Sequence, residues 1–76
     1  MPRYSFKITD GEYRHPEFGN TLLDKVAAYR EGLAIFADLA RDIAKGMQPN
    51  SEWQIEIADE SGKPIYRIRL LSESLE

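Results

Sequence analysis

The chain contains no cysteine. That single absence removes disulfides, thiol nucleophiles and thiolate zinc sites together, and it fits a reducing compartment. No run of roughly eighteen apolar residues occurs, so no segment reads as a membrane span. The opening MPRYSFKITDG alternates apolar and polar residues and lacks the apolar block of a signal peptide. Cytoplasmic residence is therefore the expectation, with no membrane partner. Glycine-rich phosphate loops, dinucleotide fingerprints, zincin helices and nucleophile elbows are all missing, which excludes the enzyme classes that depend on them. Positive charge is also short: the formal net charge is −3, which weighs against non-specific nucleic-acid binding. Nothing in the pattern calls for a cofactor.

What remains is enough for one small core. The 76 residues form a single domain spanning 1–76, with 42% apolar content. A chain this short buries only about 60–65% of the surface its unfolded form exposes. A deep cleft inside one subunit is not expected, and a sizeable pocket would lie on the sheet surface or between subunits.

Arg3 to Thr9 alternates as a strand, with Tyr4, Phe6 and Ile8 on one face and Ser5, Lys7 and Thr9 on the other. Asp10-Gly11 is a tight-turn signal. Glu12 to Arg14 then reads as a short return strand ending near Pro16. An apolar stripe of Val26, Tyr29, Leu33, Phe36, Ala40, Ile43 and Met47 predicts one long helix over 22–45. Thr21 is the expected N-cap, with Asp24 three residues on. Gly32 interrupts the helix at a cost of about 1 kcal/mol against Ala, tolerable where close contact with the sheet is needed. Trp53, Ile55 and Ile57, then Tyr66, Ile68 and Leu70, predict a hairpin across DESGK, with Gly62 at positive φ and Pro64 opening the second strand. The fold class is α+β: an antiparallel sheet of three to four strands with one long helix on its apolar face, in the order β-(β)-α-β-β. The helix would span about 36 Å against about 20 Å for a six-residue strand. Its overhanging stripe calls for a partner, and hence for a homodimer.

Chemistry concentrates in DGEYRHPEFGN, residues 10–20, around Glu12, His15 and Glu17. As a calcium loop the spacing fails, because glycine comes second and position twelve is Thr21. One His with two carboxylates falls short of a zinc site without further ligands, so no metal is expected. His15 has no Ser or Cys nucleophile beside it and reads as a solvent-exposed loop residue before a proline, although the fold could still bring Ser5, Ser51 or Ser61 near it. Phe18 reads as a core plug. On the solvent face of the sheet Lys7, Arg67 and Arg69 form a possible interaction surface, interrupted by Glu56, which pairs across strands. The aromatics Tyr4, Phe6, Trp53 and Tyr66 fall on the helix side, where they cannot stack on bases. The outer helix face mixes Arg30 and Arg41 with Glu31, Asp38 and Asp42, a poor match for a DNA groove.

MPRYSFKITDG, EFGNTLLD and WQIEIADESGKPIYRIRL together resemble a family of short, mostly proteobacterial proteins of unknown function. Its members open with a Met-Pro-Arg-Tyr strand ending in Asp-Gly and close with a strand, an Asp-Glu-x-Gly turn and a strand. The resemblance spans nearly the whole chain and implies the fold without an activity. Glu17 stands where Asp is expected in relatives. GNTLLDKVAAYREGL is also similar to the helix entry of small antitoxin α+β domains, which bind a toxin and often carry a DNA-binding segment that this chain lacks.

The expected function is a non-enzymatic interaction or regulatory module acting as a homodimer or on another protein. The alternatives are a nucleic-acid-associated or toxin-neutralising regulator, and a small-molecule binder or small enzyme using Glu12, His15 and Glu17. Leu75-Glu76 carry no weight in any of these readings.

Overall fold

The computed structural model describes residues 1–11 and 13–76. The first strand, β1 (Arg3–Asp10), buries Tyr4, Phe6 and Ile8 and turns Ser5 and Lys7 the other way, as period two requires. Gly11 takes the positive φ of the turn. The return runs as β2 (Tyr13–Arg14) and then β3 (Phe18–Thr21), both antiparallel to β1.

β3 was not expected from the sequence, and the ladder explains how it arises. Thr9 faces Arg14, whereas Phe6 faces Phe18. Three residues back along β1 thus correspond to four forward along the return, so one extra residue is accommodated across His15, Pro16 and Glu17. That is a β-bulge, placed where Pro16 has no N–H to give the ladder. The paired chain reaches as far as Leu22, whose N–H donates to the Pro2 carbonyl at 3.0 Å.

Because Phe18–Thr21 is occupied as strand, the helix starts later than expected. In α1 (Lys25–Gly46) the N-cap is Asp24, not Thr21, and its carboxylate accepts from the Ala27 N–H at 2.8 Å. β4 (Glu52–Ala58) and β5 (Pro64–Leu71) form the expected hairpin, with Gly62 at φ +88°. Asp59 organises that turn. Its Oδ1 accepts from the Ser61 N–H at 3.0 Å, the Ser61 hydroxyl at 2.6 Å and the Lys63 N–H at 3.0 Å. All neighbours are antiparallel, in the order β2-β1-β4-β5, with β3 sharing β1's outer edge with β2. The fold is α+β: four lanes of antiparallel strand carrying one long helix.

The core lies between α1 and the sheet. Phe6, Ile55 and Ile57 are fully enclosed, with Tyr4, Ile8, Ala28, Phe36 and Ile43 around them. The helix is rotated from the expected stripe: Phe36 and Ile43 are buried as expected, together with Ala28 and Gly32, while Val26, Tyr29, Leu33 and Ala40 are exposed. Small residues cause this rotation. A Cβ at Gly32 would come within 2.5 Å of Ile57 Cδ1, so the helix backbone lies directly on the sheet there. At the helix C-terminus the apolar stripe does not overhang, since Ile43 is buried and Met47 packs on the core, whereas Leu23 and Val26 around its start are left exposed. The strands, at seven and eight residues, are also longer than the six assumed.

Candidate functional site

The bulge separates the polar residues that the sequence brings together. The His15 N–H donates to the Ile8 carbonyl at 3.0 Å, continuing the β2 register, and the imidazole lies 5.4 Å from the Trp53 ring. His15 is thus half-buried at the helix side, not a solvent-exposed loop residue. Glu17 follows the bulge and lines a hollow of about 190 Å³ on the opposite, open face, together with Ser5, Lys7, Glu56 and Ala58. His15 and Glu17 therefore serve different faces of the sheet and share no ligand. Glu12 lies outside the described residues. Among the described residues no group of three His, Asp or Glu side chains could hold a metal ion.

On the open face the ladder sets Lys7 opposite Glu56 and Glu56 opposite Arg67. Arg67 Nη2 donates to Glu56 Oε2 at 2.8 Å and Arg69 Nε contacts Glu52 Oε1 at 3.2 Å. The row alternates plus, minus, plus, and Glu52 meets the second arginine, so the face offers no continuous basic strip for a phosphate backbone. Pairs this exposed each contribute about 0–1 kcal/mol and mainly fix strand register.

Among the described residues two titrating groups are displaced, both around the Asp59 turn. Asp59 is held below the usual carboxylate range, first by the Ser61 hydroxyl and then by the Lys63 N–H. The Tyr4 phenol is pushed above its usual value, first by burial and then by the charges of Asp24 and Asp59. The Asp59 shift follows from how the turn is built and the Tyr4 shift chiefly from burial, and neither gives a group poised near neutrality. A hollow of about 380 Å³ lies between the helix end and the first turn, with Asp10, Asp42, Ile43, Met47, Ser51 and Trp53 in its wall. It lies at the lower limit of the volumes that hold small molecules.

The third surface was missed by sequence reasoning. Along the flank where α1 meets β5, Val26 is 54% exposed, Tyr29 39%, Leu33 40% and Leu70 39%, and Leu71, 60% exposed, adjoins them on the open face. Tyr29 and Tyr66 meet across it with ring centroids 5.1 Å apart. On the other flank Phe18 stacks on Phe6 at 5.5 Å yet stays 42% exposed, so it caps the core without entering it. The signal for the α1–β5 flank was present in the apolar stripe, but the stripe was read as wholly inward.

Residues 3–72 match the family described as Domain of unknown function (DUF6894). The chain belongs to this family. No curated protein and no solved structure matches it. The match takes in both turns, the bulge, the helix and the β5 edge, so every surface described above lies on the family's own domain. Its description names no ligand or reaction, and function has to be argued from those surfaces. No helix among the described residues is long and apolar enough to cross a membrane.

Proposed function

We propose that the chain is a non-enzymatic protein-interaction module that self-associates through the flank formed by α1 and β5. One observation carries this reading: Val26, Tyr29, Leu33 and Leu70 remain well exposed along the flank where α1 borders the open edge of β5. Single exposed apolar residues are ordinary on a small protein, but a row of them beside an open sheet edge marks an association surface. The charge-paired open face supports the same reading, since its arginines already have carboxylate partners. The test is the solution mass of the full chain by sedimentation over a wide concentration range. A dimer is expected, together with a shift toward monomer in Leu33→Glu. A wild-type monomer at every concentration overturns the proposal.

A further inference from the structure

We infer that two copies join edge to edge through β5, antiparallel, with the two-fold axis passing between the two Leu70 residues. The inference rests on the self-association reading above and specifies its geometry.

The ladder shows which main-chain groups are open. The Ser72 N–H donates to the Ser51 carbonyl at 3.0 Å. In an antiparallel pair, successive residues alternate between facing their partner strand and facing away. Tyr66, Ile68, Leu70 and Ser72 therefore turn their N–H and C=O toward β4, and Arg67, Arg69 and Leu71 turn theirs outward. The Ser74 N–H donates to Asn50 Oδ1 at 3.1 Å, which carries the alternation past the strand end and leaves Glu73 facing outward as well. Pro64 closes the other end, having no N–H to offer. Among the described residues no strand covers this edge.

Charge and apolar burial together then select the register. Outward residues must oppose outward residues, so only alternate registers are open. An axis at Arg67 or at Arg69 sets that arginine against its own copy. An axis at Ile68 sets Arg67 against the partner's Arg69 twice over, and like charges directly opposite are destabilising. An axis at Leu70 sets Arg67 against the partner's Glu73, and by symmetry Glu73 against the partner's Arg67. It also lays the Arg69 stem along the partner's Leu71 and brings the two half-exposed Leu70 side chains together on the helix side. Moving the axis on to Leu71 would match Arg69 with the partner's Glu73 equally well, but it would leave Leu70 facing the partner's Ser72, so burial of Leu70 decides between these two registers. The second copy thus covers Leu70 and Leu71, the two apolar residues that the monomer's own fold leaves exposed at this edge. Both helices end on the same side of one continuous sheet.

Two experiments on the full chain test this. Arg67→Glu and Glu73→Arg each create like-charge pairs at both symmetric positions, and each is expected to weaken self-association by on the order of tenfold or more. Mixing the two variants restores opposite charges at both positions and should restore the dimer. Circular dichroism checks folding, and Glu73→Arg leaves the Glu56–Arg67 pair intact. In the second experiment Leu70→Cys supplies the chain's sole thiol. It sits at a non-hydrogen-bonded position, where opposed Cα atoms lie about 4.5 Å apart, within disulfide reach. Mild oxidation should give a linked dimer faster than Leu71→Cys or Leu33→Cys. A wild-type monomer overturns both the edge pairing and the self-association reading. A wild-type dimer that ignores both charge variants, or that links through Leu71→Cys or Leu33→Cys and not Leu70→Cys, overturns the edge register alone.

Discussion

Gly32 is a poor helix former placed in mid-helix, unfavourable by about 1 kcal/mol relative to Ala. The Ile57 side chain beneath it is fully buried and would meet a new Cβ at 2.5 Å. Overpacking of that kind costs about 1–3 kcal/mol, more than the propensity gain returns. Gly32→Ala should therefore destabilise the fold by about 1 kcal/mol in urea unfolding. A more stable variant would show that the close approach is dispensable. Asp59 provides a second test at this scale. Its folded carboxyl titrates below the ordinary value of 3.8, so its contribution is present above that pH and is lost as pH falls through the lower, folded value. The wild-type urea midpoint should drop on going from pH 5 toward strong acid. Asp59→Asn should start lower at pH 5 and lose less across the same window, whereas an unchanged acid slope would mean that other carboxylates govern it.

Most elements were legible in the sequence because their side chains alternate or recur with an unmistakable period. Tyr4, Phe6 and Ile8 gave β1, Ile55 and Ile57 gave β4, and two Gly-containing turns gave the connections. β3 was not legible, because Phe-Gly-Asn-Thr has no alternation and buries almost nothing. Its pairing is decided by β1, not by its own residues. The helix face was misjudged for a related reason: Ala28 and Gly32 lie on the buried line, and small residues carry little apolar signal. At the candidate site, parity alone placed Glu56 beside Arg67. The grouping of His15 with Glu17 in one loop did not hold, because the bulge between them changes which face each serves. That bulge is itself testable. Removing Pro16 would let His15 oppose Ile8, Glu17 oppose Lys7 and Phe18 oppose Phe6 in one unbroken ladder. A variant lacking Pro16 is expected to fold with a thermal midpoint within about 5 °C of wild type, a shift of about 1 kcal/mol for a domain of this size. Loss of cooperative unfolding in that variant would mean that the bulge is required for the fold, not merely tolerated by it.

For the whole molecule, size links stability to association. The chain is elongated, at 47 × 20 × 20 Å, and among the described residues the fully enclosed large side chains are Phe6, Ile55 and Ile57. A core this thin leaves little margin, and any partner that binds only the folded state adds to it by mass action. If the second copy is that partner, raising the concentration to 100 times the dissociation constant contributes about 2.7 kcal/mol. A domain of this size converts each kcal/mol into about 4–8 °C, so the thermal midpoint should climb by roughly 10–20 °C between dilute and concentrated samples. The rise has two parts with different salt responses. The apolar contact around Leu70 is insensitive to ionic strength, while the Arg67 and Glu73 pairs are exposed enough to be screened within about 8 Å at physiological salt. Scanning calorimetry at several concentrations, with and without about 1 M sodium chloride, separates them. The expected pattern is a concentration-dependent midpoint that salt reduces but does not abolish, and that Glu73→Arg makes smaller and insensitive or opposite in its salt response. A midpoint independent of concentration would mean that the 76 residues hold their fold without a second copy.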